Sequence, residues 1–200
     1  MSSINVDQEL IEATEAGDAA KVSELLVHGA NPRSRKPGAL QWAASNGLVE
    51  GLRRLLPVSD AKADDSFALW SAAKYGHAEC VKLLLPVSDP KAGESYALRM
   101  AASMGHEECV RLLLPVSGPL CEIEGVLGAV LEAGRATVAA LLIEEEPRLL
   151  DGVDLLKCLA AALENDHLDM AALLSSIIDK KELLEVALNR PRSSLGLARL

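Results

Sequence analysis

The sequence predicts an all-α fold, a solenoid of stacked helix pairs, and three observations carry that prediction. A 29-residue unit recurs along the chain, with Gly47, Gly76 and Gly105 at the same place in successive copies. Leu and Ala fill most apolar positions and both favour helix, while Val is scattered through Leu-rich stretches rather than alternating as strands require. Each unit is also punctuated by a glycine and then a proline, which divide it into two short segments. Half of the 200 residues are apolar, which argues against disorder.

The copies align by eye. From Ala39 the chain reads ALQWAASNGLVEGLRRLLPVSD, from Ala68 ALWSAAKYGHAECVKLLLPVSD, and from Ala97 ALRMAASMGHEECVRLLLPVSG. A fourth glycine in step, Gly134, keeps Leu127 and Leu142 in register, with Val130-Leu131 in place of the Ala pair. Upstream, Leu10, Ala13, Gly17 and Leu25-Leu26 follow the pattern at an offset of 30 residues. Downstream, Ala162, Asn165-Asp166-His167 and Leu173-Leu174 follow it after an insertion at Glu144-Glu145-Glu146 and Pro147. A last, compressed copy is expected from Leu183-Leu184 and Ala187-Leu188. The expected organisation is one array over residues 5–200, about six repeats plus a C-terminal partial or capping repeat.

Within a copy, each element has a local reason. The first segment, such as Ser66–Tyr75, opens on Ser and acidic residues suited to capping helix amides. Leu69, Ala72 and Ala73 recur at i, i+3 and i+4, one face of a helix, and the small Ala pair allows close approach of a neighbour. Gly76 supplies the left-handed residue that ends this helix. The second segment puts Cys80, Val81, Leu84 and Leu85 on one face and turns Glu79 and Lys82 to water. Pro86 cannot continue a helix, so the Leu run stops there and Val87-Ser88-Asp89 forms the connection. Two short helices cannot bury their faces alone, so neighbouring copies must stack.

The order Ala-Leu-x-x-Ala-Ala-x-x-Gly-His-x-Glu-Cys-Val-x-Leu-Leu-Leu resembles the helical part of an ankyrin repeat, and Leu25-Leu26-Val27-His28-Gly29-Ala30-Asn31 is similar to its usual ending. The resemblance covers roughly residues 7 to 175. The family's usual period is about 33 residues, so the inner copies are about four short. Phe67-Ala68-Leu69-Trp70 and Tyr96-Ala97-Leu98-Arg99 replace the family's Thr-Pro-Leu-His opening, and Leu-Pro-Val-Ser-Asp stands where it puts a turn and β-hairpin. The resemblance therefore implies an ankyrin-like helical repeat solenoid with reduced or absent β-hairpins. Armadillo, HEAT and tetratricopeptide arrays have longer helices and periods and fit less well.

Charge narrows the partners. Lys plus Arg number 20 against 29 Asp plus Glu, a formal charge of −9 that makes the chain a poor binder of phosphate backbones. No apolar run approaches the ~20 residues of a membrane span, and Met1–Leu10 shows no secretory signal. Cys80, Cys109, Cys121 and Cys158 are too few and scattered for a disulfide framework. Four reduced thiols are expected, with Cys121 in a loop. The expected location is cytoplasmic, or inside a host cell if the chain is a delivered effector. His77 and His106 are repeat-equivalent and so about 10 Å apart, too far to share a metal ion whose ligands sit about 2 Å away. A local hydrogen bond that pins the loop is their expected role. Gly-x-Ser-x-Gly, Gly-x-x-x-x-Gly-Lys and His-Glu-x-x-His are all missing from the sequence, so no enzyme, cofactor or metal is expected. The acids at 144–154 and the bases at 180–200 are read as solubilising and end-capping charge.

The family resemblance implies a monomeric scaffold that binds another protein through the concave groove of the array. It also implies that the pair of residues before each turn glycine points into that groove. The expected contact residues are Ser45, Asn46, Lys74, Tyr75, Ser103, Met104 and Glu132, with Trp70 one turn back either extending the patch or buried between repeats. Exposed aromatic and Met side chains are enriched at interfaces, which makes Tyr75 and Met104 the expected anchors. A regulatory or recruiting module of a larger protein, such as a bacterial effector or immunity-type protein, is the alternative. An enzyme would require a deep polar pocket with perturbed acids.

Overall fold

A computed structural model describes residues 3–33, 38–117 and 120–188, with side chains described for 6–33, 38–117 and 125–181. Among the described residues twelve α-helices form in sequence: α1 (Ser3–Glu15), α2 (Ala19–Val27), α3 (Ala39–Ser45), α4 (Val49–Leu55), α5 (Ala63–Lys74), α6 (Ala78–Leu84), α7 (Ala92–Met104), α8 (Glu107–Leu113), α9 (Leu120–Glu132), α10 (Ala136–Glu145), α11 (Leu155–Glu164) and α12 (Leu168–Leu188). Among the described residues there is no strand, so the hairpins that ankyrin repeats usually project are missing there. The odd-numbered helices stack side by side in one layer and the even-numbered helices in a second.

The core runs continuously between the layers. Leu40, Leu69, Leu98 and Leu127 fill it from the odd helices, while Leu52, Leu55, Val81, Leu84, Val110, Leu113, Val138 and Leu142 fill it from the even ones. Cys80 is fully buried beside Val81 and Leu84, and Leu85 is half-buried. The Ala pairs at 43–44, 72–73 and 101–102 are fully buried. The small Ala side chains leave room for the neighbouring odd helices to pack closely.

Helix ends follow the punctuation. Asp18 caps α2 by accepting from the Lys21 N–H (2.9 Å), and Asp154 caps α11 by accepting from the Lys157 N–H (3.0 Å). A short 3₁₀ turn at Leu56–Val58 and another at Leu114–Val116 carry the prolines that stop α4 and α8. The insertion at Glu144–Pro147 lengthens α10 and adds a 3₁₀ turn over Pro147–Leu150, which drives Leu149 into the core.

Three expectations change. The Ser and acidic residues at the opening of the first segments do not cap a helix start. Asp64, Asp65 and Ser66 instead form a left-handed turn inside α5 (φ 51°, 54° and 59°), and Gly93, Glu94 and Ser95 repeat it in α7. With the hairpin gone, this turn and an Asx turn before it must carry the chain from one even helix to the next odd one. The Lys62 N–H donates to Asp60 and the Lys91 N–H to Asp89. Buried Ser66 then accepts from the Asp89 N–H of the next loop (2.8 Å), so its hydroxyl joins two repeats. Cys121 lies within α9 rather than in a loop, because the helix begins at Leu120. The copy expected from Leu183 to Leu188 falls inside α12, which continues from Leu168 to Leu188 with no turn glycine to break it, and residues 189–200 lie outside the described residues.

Candidate protein-binding groove

The groove is built from the turn upward. Gly76 ends α5's repeat segment with φ +78°, a left-handed conformation that glycine adopts without a Cβ penalty. After Gly76, Gly105 and Gly134 the next residue does not stay within its own loop. His77 Nε2 donates to the carbonyl of Ser45 (3.0 Å), and His106 Nε2 donates to the carbonyl of Lys74 (2.9 Å). Arg135 Nε repeats the contact on Ser103 (3.1 Å). Each ring therefore lies across the preceding repeat, and a Cβ at Gly76 would stand 2.6 Å from His106 Nδ1. The glycine is needed twice over, for its backbone angle and for the ring above it.

These hydrogen bonds hold the backbone of the residues expected to meet a partner. Tyr75 is 53 % exposed and Met104 is 42 % exposed, one repeat apart on the same layer. Lys74 is half-buried, with its ammonium 5.4 Å from the centre of the Tyr75 ring, a cation–π distance. Asn46 is exposed and donates to the carbonyl of Trp42 (2.9 Å). Ser45 is half-buried and hydrogen bonds both to the Gln41 carbonyl and to the hydroxyl of Ser71 (2.7 Å) in the next repeat. Ser103 donates to Met100 of its own helix, and Glu132 is exposed.

Trp70 is half-buried and stands apart from that row. It packs on Phe67 (centroids 4.3 Å) and edge-on against Tyr96 of the following repeat (5.4 Å), while the Arg99 guanidinium lies 5.7 Å from the Tyr96 ring. The cluster occupies the place of the Thr-Pro-Leu-His opening and bridges repeats three and four by aromatic contact. The sequence carried its signal in those replacements, but not the pairing between repeats. Ser71 and the reach of His77 and His106 into the preceding repeat were likewise invisible in a single copy.

The remaining chemistry is sparse among the described residues. Cys80, Cys109 and Cys158 are free thiols. Burial, seconded by Glu79, pushes the Cys80 thiol up to about 11, and burial with Glu108 does the same to Cys109. Among the open depressions of the surface, one of about 210 Å³ lies between Pro32, Gln41 and Asp64 and another of about 360 Å³ beside Arg111, Leu114 and Glu145. Neither is lined by a histidine or a cysteine. No group of His, Cys, Asp and Glu that could hold a metal occurs among the described residues, and no helix there is long and apolar enough to cross a membrane.

Stacked helix pairs tied turn to turn define a helical-repeat protein, a class that generally presents surface rather than a catalytic centre. The chain matches the family described as ankyrin repeats, in three copies, over residues 10–92 and 40–124. It belongs to the ankyrin-repeat family, whose repeats are generally protein–protein interaction modules. No curated protein matches the chain.

Proposed function

We propose that this protein is a scaffold that binds a partner protein through the concave groove formed by the odd-numbered helices. The observation that carries the reading is the pair Tyr75 and Met104. Large apolar side chains stand open to solvent at equivalent places in adjacent repeats, on a backbone held by His106 and Arg135. Rigidly held aromatic anchors of this kind supply most of the energy in protein interfaces. Ser45, Asn46, Lys74, Ser103 and Glu132 form the polar surround, and Trp70 stiffens the frame beside them. The protein acts without catalysis, cofactor or metal, as a monomer, in a reducing cytoplasmic setting that suits its buried free thiols.

A second reading, a recruiting or regulatory module within a larger protein, is favoured by one observation. Leu163 is 57 % exposed, although its counterparts Ala44, Ala73 and Ala102 are fully buried beneath the following repeat.

Affinity capture from the native source, using the parent chain, Tyr75→Ala and Glu79→Ala, tests the groove. Tyr75→Ala should lose the specific partner, with about 2 kcal/mol of affinity gone if Tyr75 is an anchor. Glu79→Ala lies in the even layer and should retain it. Equal losses from both variants, with helical content intact, refute the groove as the site.

A further inference from the structure

Among the described residues most ion pairs lie on the even helices, and the odd layer has Arg99 with Glu94 (3.7 Å) on α7. On the even helices Lys21 pairs with Glu24 (3.2 Å), Arg53 with Glu50 (3.6 Å), Arg111 with Glu107 (2.8 Å), and Lys82 with both Glu79 (2.9 Å) and Glu108 (3.5 Å). In the groove, the position occupied by Ser45, Lys74 and Ser103 is filled by Glu132 and Glu164 in the last two repeats. Both glutamates are exposed, and neither has an ion-pair partner among the described residues. The arrangement along the groove is therefore ordered: the anchors Tyr75 and Met104 with the Lys74 ammonium against the Tyr75 ring, then unpaired negative charge one and two repeats further on. Repeat-equivalent positions are about 10 Å apart, so this order extends about 20 Å beyond Met104.

Resting on the groove reading, we propose that the partner contributes a basic segment with an apolar anchor. Its anchor seats on Tyr75 and Met104, and Lys or Arg side chains reach Glu132 and Glu164. An acidic segment would meet like charge in the C-terminal half of the groove, and a wholly apolar one would leave two carboxylates facing it unpaired. The body charge of −9 adds long-range attraction for a basic partner and steers its approach.

The test is selection of a displayed random dodecapeptide library on the purified full chain, followed by anisotropy titration of the winning peptides at low and high salt. Winners should combine one or two large apolar residues with Lys or Arg. Their affinity should fall about tenfold on Glu132→Lys/Glu164→Lys, by a smaller factor on Glu132→Gln/Glu164→Gln, and on adding salt. Replacing the peptide's basic residues by Glu should restore binding to the lysine variant. Neutral or acidic winners, no winners, or winners indifferent to both substitutions overturn the basic partner. If such winners still require Tyr75, the groove reading survives without it; if they are indifferent to Tyr75→Ala as well, the groove reading fails too.

Discussion

Replacing Gly76 by Ala should be among the most damaging single-methyl changes in this protein. The added Cβ must adopt φ +78° and would stand 2.6 Å from Nδ1 and 2.8 Å from Cε1 of His106. The left-handed conformation costs an L-residue roughly 1–2 kcal/mol, offset by about 0.4–1 kcal/mol because alanine leaves the unfolded chain less free. The imidazole must then swing away, breaking its hydrogen bond to the Lys74 carbonyl, a loss of about 1 kcal/mol. With residual overlap against a ring packed between repeats, the total is about 2–3 kcal/mol. For a chain of this length that corresponds to a drop of about 5–10 °C in Tm.

Two other glycines separate the causes. Gly17 has φ +69° with nothing within 4 Å of an added Cβ, so Gly17→Ala should show the backbone cost alone, about 1 kcal/mol or less. Gly105 has φ +84° and faces the flexible Arg135 Cδ at 3.0 Å, so its alanine variant should fall between. Circular dichroism melts and urea titrations of the three variants give the series. Gly76→Ala/His106→Ala should be less destabilised than the sum of the two single changes, because the ring that clashes is gone. Equal losses at all three glycines would refute the close-approach argument. A Gly76→Ala protein that melts like the parent would refute the turn itself.

Two further outcomes follow from the buried thiols and the left-handed turns. Cys80 and Cys109 are free and buried, so a reducing agent should leave Tm unchanged, whereas loss of a native disulfide would cost about 2–4 kcal/mol. Their folded values near 11 lie above the ordinary 9.0, so the folded protein holds these protons more tightly than the unfolded chain does. That contribution is complete below pH 9 and is lost as pH rises through 11; urea midpoints over this range should fall more steeply for the parent than for Cys80→Ala/Cys109→Ala. At Asp65, φ 54° places a non-glycine residue where the left-handed turn strains it. Asp65→Gly should raise stability by about 0.5 kcal/mol, the strain relieved less the entropy that glycine adds to the unfolded chain, and a lower melting temperature would contradict the turn.

The repeat itself, the two helices of each unit, the left-handed glycine and the buried face of Leu69, Ala72, Ala73, Cys80, Val81 and Leu84 were all legible in the sequence. These features depend on spacings of three or four residues and on the backbone preferences of Gly and Pro, which act locally whatever the rest of the chain does. The exposure of Tyr75 and Met104 was legible for the same reason, since their helical phase turns them away from the Leu–Ala face. Tertiary structure alone decided which atoms meet between repeats. His77 and His106 each reach 32 residues back to a carbonyl, Ser66 takes the amide of Asp89, and Trp70 finds Tyr96. Those partners are set by the rise and rotation from one helix pair to the next, which no single copy encodes. The unbroken course of α12 belongs with them. Leu183-Leu184 and Ala187-Leu188 suit the middle of one long helix as well as the start of a new one, and without a glycine between them the local signal could not choose.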